Sequence, residues 1–187
     1  MDEALDAAIG VFWRQGYEGT VLDDLTTAMG ISRPSLYAAF GDKEATFKRA
    51  VERYAQVDMR YVETALAEPT AFTVAAHYLR GNILTITNPA RPPGCLTVQG
   101  GVSGSEADQP IVEFLNSVRD EVEARLADRF AQAIADGDLP ASEDPAGLAR
   151  YLLTVTGGQA IQAGAGATRE QLSRVADHAL AAFRPFA

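Results

Sequence analysis

An all-α fold is predicted for this 187-residue chain by three features of its sequence. Apolar residues recur at three-to-four-residue spacing through every long segment, and strand-type alternation never lasts beyond a few residues. Ala, Leu, Glu and Arg, good helix formers, dominate the long segments. Glycine and proline cut this pattern into about nine helices, a short group first and a longer group after it.

The first helix carries Leu5, Ala8, Ile9 and Phe12 on one face and stops at Gly16, with Tyr17 packing nearby. Thr20 stands three residues before Asp23, the spacing of a capping box, and so predicts the next start. Leu22, Leu25 and Met29 form the apolar face of that second helix, and Gly30 ends it. Ser32 caps a third helix, where Pro34 is tolerated because first-turn amides have no internal partner. Helix, short glycine turn, helix is a helix-turn-helix arrangement.

Residues 43 to about 66 read as one longer helix stopped by Glu68-Pro69, and 70 to about 87 as the next, ended by Asn88-Pro89. Loop 88–94 holds three prolines and a glycine, which cannot continue a helix. A short helix from 94 to about 103 follows. The long amphipathic helix 109–136 has Ile111, Phe114, Leu115, Val118, Val122, Leu126, Phe130 and Ile134 on one stripe. Helices over 145–163 and 169 to about 184 close the chain.

Composition bounds the function. The net charge of −9 argues against nonspecific nucleic-acid binding by the chain as a whole. Residues 1–50 hold five basic side chains (Arg14, Arg33, Lys43, Lys48, Arg49) against eight acidic ones, and only 32–50 reverse the sign. Any DNA contact is therefore local, and Lys48 and Arg49 read as solvated surface. No apolar run is long enough for a bilayer, and Asp2 and Glu3 follow Met1 where a secretory leader would differ. With a single cysteine, a cytoplasmic protein without membrane contact is expected. His77 and His178 lack partners at ligand spacing, so no metal or other cofactor is expected. The stretch around Ser103 lacks both the second glycine and the strand of a nucleophile elbow, and no nucleophile–base pair suggests an enzyme.

The stripe over 5–12, Gly16, Thr20, Leu25, Gly30-Ile31-Ser32, Leu36-Tyr37, Phe40 and Lys43-Glu44 together resemble the DNA-binding domain of the TetR/AcrR family of transcriptional regulators. The resemblance is close over about the first 50 residues and extends beyond them only in helical layout. Ala39 stands where the family often has His, and Thr26 where a small Ala is usual. The resemblance implies a DNA-binding domain over 1–48 and a helical effector and dimerisation domain over 49–187. It implies a homodimeric repressor that releases a palindromic double-stranded operator on binding a small hydrophobic or electrophilic effector. A helical adaptor without DNA binding is the alternative that the acidic balance favours.

By the same resemblance, the helix over 33–39 enters the major groove. Arg33 and Ser35 would reach base edges, with Ser32 and Pro34 in the same DNA-facing turn; an arginine can bond guanine O6 and N7 at once. Thr20, Tyr37 and Lys43 would hold phosphates and fix register. The N-terminus of the Asp42-capped helix offers a further phosphate site. Dimerisation would use the last two helices, 145–163 and 169–184, with Leu152, Leu153 and Ile161 facing Leu172, Val175, Ala179 and Phe183.

Tyr78, Phe114 and Tyr151 are candidate walls of an effector cavity, and His77 and Gln99 its candidate polar anchors. His77 with Tyr78 also reads as a packed core pair. Cys95, at the end of the proline loop, has two readings: a reactive thiolate at a helix start, or a buried small apolar residue.

Overall fold

The computed structural model describes residues 1–99 and 108–183, the side chain of Gln99 excepted. The described residues form α1 (Asp2–Gly19), α2 (Leu22–Met29), α3 (Arg33–Phe40), α4 (Lys43–Val57), α5 (Tyr61–Leu66) and α6 (Ala71–Ile86). They continue with α7 (Leu96–Gln99), α8 (Gln109–Ala135), α9 (Pro145–Gly164), α10 (Arg169–Ala179) and a 3-10 turn, Leu180–Phe183. The all-helical expectation is borne out. The count is ten α-helices among the described residues, because one expected helix is two.

That helix is 43–66. It breaks at residues 58–60, where Arg91 holds both Asp58 carboxylate oxygens at 3.0 Å and the Thr85 hydroxyl donates to the Asp58 carbonyl at 3.0 Å. Groups far along the chain thus capture Asp58 and turn the helix, and no local breaker residue marks the place. The start of α2 is also corrected. Its N-cap is Val21, whose amide donates to Asp24 Oδ2 at 3.3 Å. Thr20 does not cap it: fully buried, it donates its hydroxyl to the Gly16 carbonyl at 2.7 Å. Gly16 breaks the helical backbone as expected (φ 72°, ψ 171°), so α1 is two helical stretches joined by a kink there. The short helix expected over 94–103 is present as α7, and its remainder lies outside the described residues.

One apolar core runs through the molecule. At the N-terminal end, Phe12 meets Phe47 edge to face at 4.9 Å and Trp13 meets Tyr54 at 5.0 Å, fastening α1 to α4. Arg53 adds a two-pronged bond from α4 to Asp6 of α1, at 2.9 and 2.8 Å. Beyond it α8 lies along α9, α5 packs on α6, and α10 rests on α6 and α9. A close approach at Gly81 allows the α5–α6 contact: a Cβ there would lie 2.4 Å from Tyr61 Cβ. Helix α4 runs unbroken across residue 48, and α7 packs on α1, α4 and α9, so the two halves share elements.

Candidate nucleic-acid interface and effector cavity

The turn between α2 and α3 is built by Gly30 in the left-handed region (φ 65°), with the Ile31 amide returning to the Thr26 carbonyl at 3.1 Å. Ser32 then caps α3, its Oγ accepting from the Ser35 amide at 3.3 Å and lying 2.8 Å from Ser35 Oγ. Leu36 and Phe40 anchor α3 in the core, so Arg33, Pro34, Ser35 and Tyr37 face solvent together with Ser32. Arg33 Nε donates to Asp23 Oδ1 at 2.9 Å, and its Nη2 makes an ion-pair contact with the same oxygen at 2.8 Å.

Lys43 donates to the Thr20 carbonyl at 2.9 Å and lies 4.3 Å from the Tyr17 ring centroid, beside the turn. Thr20 itself leaves the set of phosphate contacts, since its side chain is buried and its amide donates to the Tyr17 carbonyl. At the N-terminus of α4, Asp42 Oδ1 accepts from the Ala45 amide at 2.8 Å. Arg49, read as solvated surface, bonds the Ala39 carbonyl at 2.5 Å and lies over the Phe40 ring, closing the C-terminus of α3. Lys48 pairs with Glu44 at 2.7 Å.

A cavity of about 70 Å³ opens among α5, α6, α7, α8 and α9. Tyr78 and Cys95 are among the residues that line it. Three other candidates do not. His77 turns outward, one step round α6 from Tyr78, with Nδ1 2.6 Å from Glu68. Phe114 carries the Lys48 ammonium over its ring at 5.6 Å, and Tyr151 lies exposed beside Phe183. The Gln99 side chain lies outside the described residues.

The cavity's polar wall escaped sequence reasoning. Asn82 accepts from the Tyr61 hydroxyl at 3.4 Å and donates to Gln159 Oε1 at 3.0 Å; Gln159 in turn donates to the Leu172 carbonyl of α10 at 3.3 Å. The legible signal was an amide on each of two apolar helix faces. Burial pushes the phenols of Tyr54, Tyr61 and Tyr78 upward, so all remain neutral. Arg119 is tied to the Thr97 carbonyl at 2.7 Å. Cys95 is 7% exposed, its sulfur accepting from the Tyr54 hydroxyl at 3.3 Å with Thr97 Oγ1 at 3.2 Å. That is the buried small residue of the second reading, set in a cavity wall.

The expected dimer face changes too. Leu152, Leu172, Ala179 and Phe183 are buried within their own chain, and Leu153 borders the cavity. Ile161 and Val175 remain outside, 57% and 46% exposed. Among the described residues, no helix is long and apolar enough to cross a membrane, and no group of three or more His, Cys, Asp or Glu is placed to hold a metal ion.

Comparison with known proteins gives a consistent picture. The family model described as bacterial regulatory proteins, tetR family, matches residues 4–50. The chain is 32% identical to the HTH-type transcriptional repressor ComR of Escherichia coli K12, over 94% of this chain and 84% of that protein. It is similar to a cysteine-substituted TetR family transcriptional regulator CifR complexed with 26-base-pair operator DNA (38% identity, TM-score 0.93, 98% and 96% of the two chains). A TetR transcriptional regulator from Rhodococcus sp. RHA1 is 40% identical, with a TM-score of 0.67 over 98% of each chain.

Proposed function

This chain belongs to the TetR family of bacterial regulatory proteins, and from that membership we propose a cytoplasmic homodimeric repressor that leaves a palindromic operator when a small apolar effector enters the cavity. As a family member it is a DNA-binding regulator of transcription and not an enzyme. The observation that carries the proposal is the exposed first turn of α3, held rigid by Ser32 and the buried Leu36 and Phe40. The overall fold is shared with an operator-bound relative, and a second relative is a repressor.

In this reading Arg33 and Ser35 reach base edges, while Tyr37 and Lys43 hold phosphates. One such helix reads too little DNA for useful specificity; two related by a two-fold axis, about 34–36 Å apart, read successive major grooves. Residues 1–48 form the DNA-binding part and 49–187 the effector and dimerisation part, joined through α4.

The cavity supports a small, mostly apolar ligand oriented by Asn82, Tyr61 and Tyr78. At about 70 Å³ it holds roughly half of the ~150 Å³ that lets an engineered cavity accept benzene, so a ring-sized effector must displace a wall. One wall is the segment 95–98, whose Cys95 bonds Tyr54, which in turn packs on Trp13 of α1. Displacing it would disturb the seat of the DNA-binding helices, and the effector acts by favouring that displaced state. The burial of Cys95 favours reversible binding over reaction with the thiol.

A mobility-shift assay on DNA from upstream of the chain's own gene tests the function. A discrete shift is expected, and Arg33→Ala should weaken it by about 1–3 kcal/mol and relax preference at one base pair per half-site. Lys43→Ala should weaken all sequences alike and lower the salt slope by about one. A chain that shifts no DNA even at low salt would return the molecule to the adaptor class.

A further inference from the structure

Asp23 on α2 and Arg33 at the start of α3 are brought together by the glycine turn. Arg33 offers Nε and Nη2, the side-on edge of its guanidinium, to Asp23 Oδ1 at 2.9 and 2.8 Å. A guanidinium carries five N–H donors in a rigid fork. Two are turned to Asp23, and among the described residues nothing holds Nη1. The end-on edge, Nη1 with the second Nη2 proton, therefore remains open, and a guanidinium fork can take guanine O6 and N7 together.

Asp23 is free for this task because the neighbouring acid does the capping. Asp24, not Asp23, accepts from the Val21 amide at the start of α2. Both members of the pair project into solvent, with side chains 58% and 69% exposed. Packing does not orient Arg33; its bond to Asp23 does.

We propose that Asp23 is a specificity-determining residue, holding Arg33 with its end-on edge presented to one guanine of each operator half-site. The inference rests on the reading of α3 as the recognition helix. A long arginine side chain has many rotamers, and a loose one finds phosphates, which every sequence supplies, as readily as bases. Asp23 fixes the side chain, covers the edge that would otherwise chelate a phosphate, and sets a negative charge against the backbone. Its effect is therefore discrimination at the expense of nonspecific affinity. An exposed ion pair adds little stability, so its removal should leave the fold intact.

The test begins with a duplex that the wild-type chain selects from a randomised pool. Fluorescence anisotropy then compares wild type, Asp23→Ala, Arg33→Ala and the double variant on that duplex, on an unrelated duplex, and on versions with 7-deazaguanine at each guanine in turn. Loss of N7 at one guanine per half-site should weaken the wild type about tenfold. Asp23→Ala should shrink that ratio to about threefold or less while binding the unrelated duplex more tightly, and should leave the ratio unchanged in the Arg33→Ala background. Full discrimination in Asp23→Ala, with uniformly tighter binding to all duplexes, would reduce Asp23 to a repelling charge and overturn the proposal alone. A wild type that selects no duplex, or whose discrimination survives Arg33→Ala, would remove the recognition-helix reading and this inference with it. Thermal melts of each variant separate loss of fold from loss of contact.

Discussion

Asp6 shows how one side chain ties the DNA-binding helices to pH. Its bidentate bond from the Arg53 guanidinium holds its carboxyl below the ordinary 3.8. The folded value lies below the unfolded one, so the pair's contribution is complete above the ordinary carboxylate range and fades as pH falls through the folded value. Asp6→Asn should therefore lower the melting temperature at pH 7, and the difference from wild type should shrink as pH falls through the folded-state value of Asp6 and vanish below it. A difference that persists in acid would assign the effect to packing. Nothing local to α1 signals the pairing, since Arg53 lies forty-seven residues on.

Helix α6 depends on a missing side chain. Gly81 lets Tyr61 of α5 lie against the α6 backbone, where a β-carbon would come within 2.4 Å of Tyr61 Cβ. The obstructing atoms belong to the stem of Tyr61, close to its backbone, so the strain moves α5 bodily. Gly81→Ala should destabilise by about 1–3 kcal/mol in urea titration, even though alanine is the better helix former. It should also weaken effector binding, since Tyr61 walls the cavity and bonds Asn82. Unchanged stability would mean that α5 yields freely. No local signal marks Gly81 for this role, because Tyr61 reads in sequence as part of the same helix as α4.

At the scale of the whole molecule the open question is which apolar surface a second copy covers. Ile161 on α9 and Val175 on α10 project outward, whereas Leu153, assigned to the same interface from sequence, turns to the cavity. A charge buried without a partner at an interface costs several kcal/mol. Light scattering at micromolar concentration should report a dimer for wild type and a monomer for Val175→Glu or Ile161→Glu. Leu153→Glu should instead lower the melting temperature and abolish effector response while the folded fraction stays dimeric. Dimers in both outward variants would move the interface to another face.

The sequence alone determined the local part of this protein: a helical chain, a glycine-turned pair of short helices, the capping Ser32, the proline loop and a solvent-facing turn at 33–37. Those features rest on backbone preferences and three-to-four-residue periodicity, which act between near neighbours and so can be read along the chain. The tertiary structure alone decided the break at 58–60, made by Thr85 and Arg91, and the burial that withdraws Thr20 from the surface. It also decided which candidates reach the cavity: a one-residue step round α6 separates Tyr78 inside from His77 outside, and the register of α8 and α9 excludes Phe114 and Tyr151. The physical reason is common to all of these. Burial and pairing depend on where distant helices dock, and periodicity fixes which residues share a helix face without fixing what that face meets.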